Sequence, residues 1–311
     1  MKKIKRIKII INPSAGKHII KLPFINKLVG IKDISYKQLS LNQLITTLHQ
    51  LFEARDIQAD ICVSNHVGHC TSLAQEALSD KCDAVVVVGG DGSINEIASV
   101  LAGNSLPLGV IPYGTANVFA LSFGIPFSLE AACDRISKGQ SRAIDLGYSG
   151  DKLFVCMMGV GFDAYVIKCC KLKWKRLLGP FAFVLALLKA ALTSTFTPIS
   201  VTINHKPYSG SLFIVSNVAN YAGNLTLCSE AEPDDGYLNI SLFKGRHLWD
   251  IFRFLYCLSK GRVTHHQQVT QLKAKSLDFV TVRKQHTHVD AEYIGQKLDR
   301  IFIKEKALLI L

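Results

Sequence analysis

Residues 84–96, AVVVVGGDGSINE, decide the fold. Four consecutive valines describe a strand buried on both faces, as strands inside a parallel sheet are. Gly89 and Gly90 then let the backbone turn tightly and approach a ligand closely. Beyond the turn, Ile94, Ile97, Ala98 and Leu101 fall at i, i+3, i+4 and i+7, which predicts a helix starting near Ser93. A strand, a glycine turn and a helix N-terminus make a cradle for an anion, because backbone N–H groups and the helix dipole point at the turn. On this segment alone, a tight turn with no ligand is the competing reading.

Working outward, residues 108–111 form a second apolar strand, and IPYGTANVFA supplies Pro112, Gly114, Thr115 and Asn117 directly after it. Two polar glycine loops at the carboxyl ends of successive strands mark the place where open α/β sheets bind ligands. Neither loop is followed by Gly-Lys-Ser/Thr, and neither matches G-x-G-x-x-G, so the P-loop and the dinucleotide fingerprint are excluded. Asp91 in a phosphate cradle makes chemical sense with Mg²⁺ between the two negative charges.

The flanking sequence completes an α/β pattern. Residues 7–11 form a first strand, and Asn12-Pro13-Ser14-Ala15-Gly16-Lys17 is its exit loop. Residues 18–40 are basic and weakly patterned. Leu41, Leu44, Ile45, Leu48, Leu51 and Phe52 mark a helix with Ser40 as its N-cap. A strand at 57–63 and helical spacing from Cys70 to Leu78 follow, and after the second glycine loop Leu129, Ala132, Cys133 and Ile136 share one helix face. Alternating strands and helices predict an open, mostly parallel sheet with helices on both faces.

After Gly147 the texture changes. Short alternating segments at 153–157, 199–203, 211–216, 237–243 and 277–282 predict a β-rich antiparallel sandwich. Residues 247–258 interrupt it with a helix whose packed stripe is Leu248, Ile251, Phe252, Leu255 and Leu258. Residues 168–196 interrupt it again: a basic stretch carrying Trp174, then LLGPFAFVLALLKAALTSTF. Pro180, Lys189 and the polar end at 193–197 argue against a membrane span. A core helix and an interfacial element, with basic residues on headgroups and Leu or Phe in the acyl boundary, are compatible readings.

At 311 residues the chain accommodates two domains with ample cores, and an apolar fraction of 49% excludes a disordered protein. The net charge of +12 suits an anionic membrane surface or an anionic nucleotide. No RNA-binding aromatic signature or zinc-finger spacing is present, so nucleic acid is not expected as a partner. Nine scattered cysteines without a CxxC pair fit reduced thiols in the cytoplasm. The apolar run at 9–11 is too short for a signal-peptide core and reads as a strand.

GGDGSINE followed by PYGTANVFA resembles the nucleotide-binding core of the diacylglycerol kinase catalytic domain family, which includes bacterial diacylglycerol and phosphatidylglycerol kinases and is related to the sphingosine kinases. The GGDG core is also similar to that of the NAD kinases and phosphofructokinases. The resemblance extends over nearly the whole chain through four motifs in order: the Asn-Pro loop, GGDGS, YGTAN, and DDG ahead of a carboxylate near the end.

The resemblance implies an ATP-dependent lipid kinase with Mg²⁺. Asn12, Ser64, Gly89, Gly90, Asp91, Gly92, Ser93, Ile94, Asn95, Glu96, Gly114 and Thr115 correspond to the nucleotide-holding positions. Asp145 corresponds to an acid that joins Asp91 in a water and Mg²⁺ network. EAEPDDGYL, residues 230–238, resembles a structural Mg²⁺ loop, with Asp235 ligating by carboxylate and Glu232 and Tyr237 by backbone carbonyls. Glu292, in Val289-Asp290-Ala291-Glu292, corresponds to the general base. The implied domains are 1–146 with 298–311, which bind nucleotide, and 147–297, which take the lipid. The implied enzyme is cytoplasmic and visits an anionic membrane surface, with Lys171, Lys173, Lys175 and Arg176 on the headgroups. The oligomeric state, a homodimer included, is left open.

The chain departs from the family pattern in three places. Ser93 stands where Thr is usual, Val118 where many bacterial members carry Asp, and Ala291 where Gly is usual. The last matters if the backbone there needs positive φ. Three alternatives stand beside the lipid kinase: an NAD kinase, a catalytically weak kinase-derived lipid sensor, and a strand face of His286, His288, Asp290 and Glu292 that binds a transition metal.

Overall fold

The structure, a computed structural model, describes residues 3–15, 38–170, 181–193, 197–245, 247–280, 284–296 and 299–311. Gly16, Lys17 and most of the basic stretch after them lie outside the described residues, as do Lys171, Lys173, Trp174, Lys175, Arg176 and Pro180. The described residues divide into two compact units. The first takes in the residues up to Ile144 together with Lys306–Leu311, and the second is Asp145–Glu305.

In the first unit β1 (Arg6–Ile11), β2 (Gln58–Val63), β3 (Ala84–Gly89) and β4 (Leu108–Pro112) pair in parallel in the order β2-β1-β3-β4. Every residue of β3 is buried, as the valine run requires. The helices are α1 (Leu41–Glu53), α2 (His69–Ser79), α3 (Asp91–Leu101), the short α4 (Val118–Ser122) and α5 (Leu129–Ser137). Ser40 caps α1 in a full capping box with Gln43. Leu44, Leu48 and Phe52 of α1 and Ala132, Cys133 and Ile136 of α5 cover Ile7, Ile9, Ile11, Val86 and Val88. Strand alternation turns Ile10, Val85 and Val87 to the other face, where α2 packs on β1 and α3 on β3. The end of the last strand, β18 (Ile301–Ile310), adds to β4 in parallel, with Ile310 opposite Leu108.

The second unit is antiparallel. It takes in β5 (Arg142–Ser149) from Asp145 onward, then β6 (Lys152–Phe154), β7 (Met157–Gly161), α6 (Phe162–Cys169) and α7 (Phe181–Thr193). Next come β8 (Ile199–Ile203), β9 (Lys206–Gly210), β10 (Leu212–Ser216), the short pair β11 (Asn220–Tyr221) and β12 (Leu225–Thr226), and β13 (Leu238–Phe243). Helix α8 (Leu248–Ser259), β14 (Val269–Ala274), β15 (Ser276–Phe279), β16 (Thr287–Val289) and β17 (Glu292–Gly295) complete it. One sheet runs β14-β13-β10-β7-β16-β17. Its inner residues Met158, Phe213, Val215 and Ile240 pack against Ile199, Val201, Ile203 and Leu277 of β8 and β15, so two sheets share one core.

Two expectations are corrected here. The segment 153–157 is not one strand, because it breaks between Phe154 and Met157 into β6 and β7. The cause is the Asp290 carboxylate, which draws in the backbone N–H groups of Val155, Cys156 and Met157. In α8 the buried face is Ile251, Phe254 and Leu258, whereas Phe252 is 46% exposed. Aromatic and aliphatic residues occur on both sides of this helix, so spacing alone does not choose the face.

Among the described residues no helix is long and apolar enough to cross a membrane. Helix α7 nonetheless exposes Leu185, Leu188 and Leu192 along one side.

Candidate active site

In the first unit the two glycine loops touch through their backbones. A Cβ on Gly114 would lie 2.5 Å from Gly90 Cα, and one on Gly90 would lie 2.9 Å from Gly114 Cα. Only glycine at both positions allows that approach. Asp91, the first residue of α3, holds the second loop: its Oδ2 accepts the Val118 N–H at 3.1 Å and its Oδ1 the Phe119 N–H at 2.9 Å. A carboxylate on the first N–H groups of α4 satisfies backbone donors that have no partner within the helix. Asn117, at φ +47°, locks its own loop, with Oδ1 accepting from Gly114 N at 2.8 Å and Nδ2 donating to Gly114 O at 3.0 Å.

The exit loop of β1 joins the same assembly. Asn12 donates its backbone N–H to Val88 O at 2.9 Å and its side-chain Nδ2 to Ser93 Oγ at 2.8 Å. Ser64 leaves β2 beside it, its N–H on Ile11 O at 2.8 Å. Burial pushes the Cys70 thiol up, and the Ser64 and Ser93 side chains draw it back. Gly90 gives α3 no side-chain cap, and a Cβ on Gly92 would meet nothing within 4 Å. An uncapped helix N-terminus next to open space and a carboxylate suits phosphate oxygens and the hard cation that accompanies them. The positions expected to hold nucleotide are thus brought together around the ends of β1, β3 and β4. Thr115 is half-buried in the second loop, and Ile94, Asn95 and Glu96 follow on α3.

Asp145 and Glu292 belong to the second unit. Asp145 is fully buried: its N–H donates to Pro233 O at 2.7 Å, and its Oδ2 accepts the Gly236 N–H at 2.7 Å. It therefore fastens β5 to the DDG loop. In that loop Asp235 Oδ1 accepts the Tyr237 N–H at 2.9 Å, and Asp235 Oδ2 lies 3.0 Å from Lys273 Nζ. The bond to Asp235 raises the Lys273 ammonium above its ordinary range. A cation already sits on the carboxylate, so a Mg²⁺ held by Asp235 with the carbonyls of Glu232 and Tyr237 would have to displace Lys273 or share Asp235 with it.

Glu292 opens β17 after a two-residue turn. Asp290 has φ +43° and Ala291 φ +63°, the left-handed pair that tight hairpins require. Asp290 Oδ2 accepts from Val155 N at 2.8 Å, and its Oδ1 accepts from Cys156 N and Met157 N at 2.9 Å each. The turn is pinned to the β6–β7 link, and Glu292 stands exposed beside it, opposite Val289. This overturns the shared face of His286, His288, Asp290 and Glu292. The chain reverses at Asp290, whose carboxylate is turned to backbone donors, so the four do not converge on a metal.

Comparison with known proteins agrees with these loops. The model described as "Diacylglycerol kinase catalytic domain" matches residues 33–149, and "YegS C-terminal NAD kinase beta sandwich-like domain" matches 156–311. The chain belongs to the diacylglycerol kinase catalytic domain family. Diacylglycerol kinases of Staphylococcus epidermidis and Staphylococcus aureus are each 26% identical over 303 residues, which span 96% of this chain and 89% of each relative. A diacylglycerol kinase structure from Bacillus anthracis superposes with a TM-score of 0.71 at 20% identity, covering 100% of this chain and 98% of that one. At that identity the superposition establishes the fold. The protein is an ATP-dependent lipid kinase. The NAD kinase reading gives way to that membership.

Two further features of this lipid kinase escaped the sequence reading. The first is a cavity of about 250 Å³ in the second unit, whose lining includes Tyr165, Thr193, Thr197, Lys284, His286 and Gln296. His286 Nδ1 is 2.8 Å from Tyr293 Oη, and its ring stacks on Tyr165 at 5.0 Å. Burial, and then the Lys168 ammonium, hold His286 below its ordinary range, favouring the neutral ring. Tyr165 Oη in turn meets Thr193 Oγ1 at 3.1 Å, tying α6 to α7.

The second is a buried relay. Asp163 Oδ2 lies 2.6 Å from His288 Nε2, and Tyr221 donates its hydroxyl to Asp163 Oδ1 at 2.5 Å. A Cβ on Gly159 would fall 2.1 Å from His288 Nε2, so the pair occupies the space a side chain would take. Burial pushes Asp163 up, but His288 and the two hydrogen bonds outweigh it and leave the carboxyl below its ordinary range. The signal for Asp163 was available: one carboxylate inside the apolar run GVGFDAYV, where a buried charge needs a partner.

Proposed function

We propose that the kinase transfers the γ-phosphoryl group of ATP to a hydroxyl on a lipid headgroup, with Mg²⁺ and with Glu292 as general base. The observation that carries this reading is the pinned turn: three backbone N–H groups hold Asp290, and the turn presents Glu292, exposed, in the same unit as the cavity lined by Tyr165, Thr193, Lys284, His286 and Gln296. Hydroxyls, an amide, an imidazole and a lysine suit a hydroxylated headgroup, of the glycerol or sphingoid type.

The loops of the first unit hold the triphosphate. Gly90 and Gly114 let the backbone approach it closely, and Asn12 holds Ser93 ready to donate its hydroxyl. Mg²⁺ at Asp91 would neutralise charge on the phosphate oxygens. Glu292 takes the proton of the acceptor hydroxyl as the new O–P bond forms and the bond from the γ-phosphorus to the bridging oxygen breaks, releasing ADP. The exposed Glu292 then returns that proton to water. Asp145 acts through the DDG loop it fastens, and Asp290 through the turn that presents Glu292.

The exposed leucines of α7 support peripheral work at an anionic membrane surface. The test is incubation of the protein with labelled ATP, Mg²⁺ and a panel of lipids in detergent, with NAD as a parallel acceptor. A labelled lipid supports the reading, and labelled NAD in its place overturns it. Glu292→Gln is expected to lose at least about a hundredfold in turnover while ATP binding persists, within the usual contribution of a general base. Unchanged turnover removes Glu292 from that role.

A further inference from the structure

Helix α8 has two apolar sides, and only one is used by the fold. Ile251, Phe254 and Leu258 face inward, with Phe254 tilted against Phe243 at 5.1 Å. On the other side Trp249 is 73% exposed, Phe252 46% and Tyr256 66%. These three positions are at i, i+3 and i+7, so they line one side of the helix. Trp249 and Phe252 meet edge to face at 6.3 Å, and Lys260 Nζ lies 6.0 Å from the Tyr256 ring. Three large aromatic side chains standing together in water are costly for a fold to keep without use.

Among the described residues, the exposed charges on the helix and its flanks have one sign. Arg253, Lys260, Arg262 and Lys244 are exposed on the helix and its flanks. The one carboxylate of the helix, Asp250, is turned to the cap, accepting from His247 N and from Gln268 Nε2 at 3.1 Å each. Trp, Tyr and Phe amid Arg and Lys is the composition that settles at the headgroup level of a bilayer, rings in the boundary and cations on phosphates. A second copy of this chain fits less well. A two-fold axis would set these like charges against each other, and three side chains fall far short of the roughly 800 Å² per partner of a stable interface.

We propose that the exposed aromatic side of α8 is a docking surface for an anionic lipid bilayer. This rests on the reading that the kinase acts at a lipid surface, and it assigns that contact to an element separate from α7. The rings of Trp249, Phe252 and Tyr256 enter the interface, and Arg253 and Lys260 pair with lipid phosphates. Docking then depends on both area and charge: loss of rings weakens it at any salt, whereas loss of cations weakens it mainly in low salt.

The experiment uses the full chain with Trp174→Phe, so that Trp249 is the one fluorophore of its kind. Vesicles of phosphatidylglycerol and phosphatidylcholine are added, and vesicles of phosphatidylcholine alone serve as control. The Trp249 emission is expected to shift to the blue and to be quenched by brominated acyl chains with the anionic vesicles. Co-sedimentation is expected to fall about tenfold or more for W249A/F252A/Y256A, and to fall in low salt only for R253Q/K260Q. Phosphorylation of a short-chain, water-soluble acceptor is expected to match the parent protein in both variants. Unchanged sedimentation of the aromatic variant, or unquenched Trp249, overturns the proposal. So does a change in mass by light scattering with vesicle binding intact, which assigns the surface to a second copy. Failure of the soluble acceptor to be phosphorylated by the parent protein strikes the lipid kinase reading instead.

Discussion

Asp163 and His288 stand 125 positions apart in the sequence, and their side chains meet at 2.6 Å in the interior of the second unit. Because the folded-state carboxyl is held below its ordinary range, its contribution to stability is complete above the ordinary carboxylate pKa and is lost as pH falls through the lowered value. Urea unfolding at a series of acid pH values is expected to show this limb in the parent protein and a flatter one in Asp163→Asn. Asp163→Ala, which strips the buried histidine of its partner, is expected to cost about 3 kcal/mol. An acid limb unchanged in the Asn variant would show that the pair carries no such linkage.

The glycines of the two loops separate packing from the contact proposed for phosphate. Gly114→Ala forces a Cβ to 2.5 Å from Gly90 Cα, so both thermal stability and ATP affinity are expected to fall. At Gly92 a Cβ meets nothing within 4 Å, and the position lies in the first turn of α3. Gly92→Ala is therefore expected to leave the fold intact or firmer by up to about 1 kcal/mol. Its ATP affinity, measured by calorimetry, is expected to fall because the new methyl occupies the phosphate's approach. A variant with full affinity would move the phosphate away from Gly92.

Ala291 sits at φ +63°, where a residue with a Cβ is strained. Ala291→Gly relieves that strain at the cost of a more flexible unfolded chain, and a net gain of about 0.5 kcal/mol in denaturant unfolding is expected. Asp290→Ala removes the acceptor of three backbone N–H groups and is expected to lower both stability and turnover, since the turn that presents Glu292 loses its anchor. Turnover at the parent level with lowered stability would show that Glu292 does not depend on this anchor.

Lys273 occupies the carboxylate that the family resemblance assigns to a structural Mg²⁺. The melting temperature of a nucleotide-free sample is accordingly expected to be indifferent to Mg²⁺ at millimolar concentration. Lys273→Met uncovers Asp235 and is expected to make it rise with Mg²⁺, as a ligand that binds only the folded state requires. A strong Mg²⁺ dependence already present in the parent protein would place the metal at the loop despite the lysine.

Much of this was legible in the sequence because its causes are local. The valine run at 85–88 names a buried strand by itself, Ser40 ahead of the Leu41–Phe52 stripe names a helix start, and the paired glycine loops name an anion cradle. The order of the motifs then names the family. What the sequence does not display is which backbone donors a carboxylate meets. Asp290 was readable as part of a catalytic segment, but its bonds run to residues 155–157, more than 130 positions away. The partner of Asp235 was hidden in the same way, since Lys273 arrives from a later strand. In α8 the difficulty was different: with apolar residues on two sides, periodicity has two solutions, and tertiary packing, such as that of Phe254 on Phe243 and His266, selects one.

The strand that completes the parallel sheet comes last in the chain. Leu311 donates its backbone N–H to Leu108 O at 2.9 Å, and Ile310 lies opposite Leu108, so β4 gains its second neighbour from residues made after the whole of the second unit. During synthesis β4 therefore waits with one apolar edge open while some two hundred residues emerge behind it. Ribosome-bound chains halted ahead of β18 should bind chaperone and be cut by protease within the nucleotide loops, even though every residue of those loops has already been made.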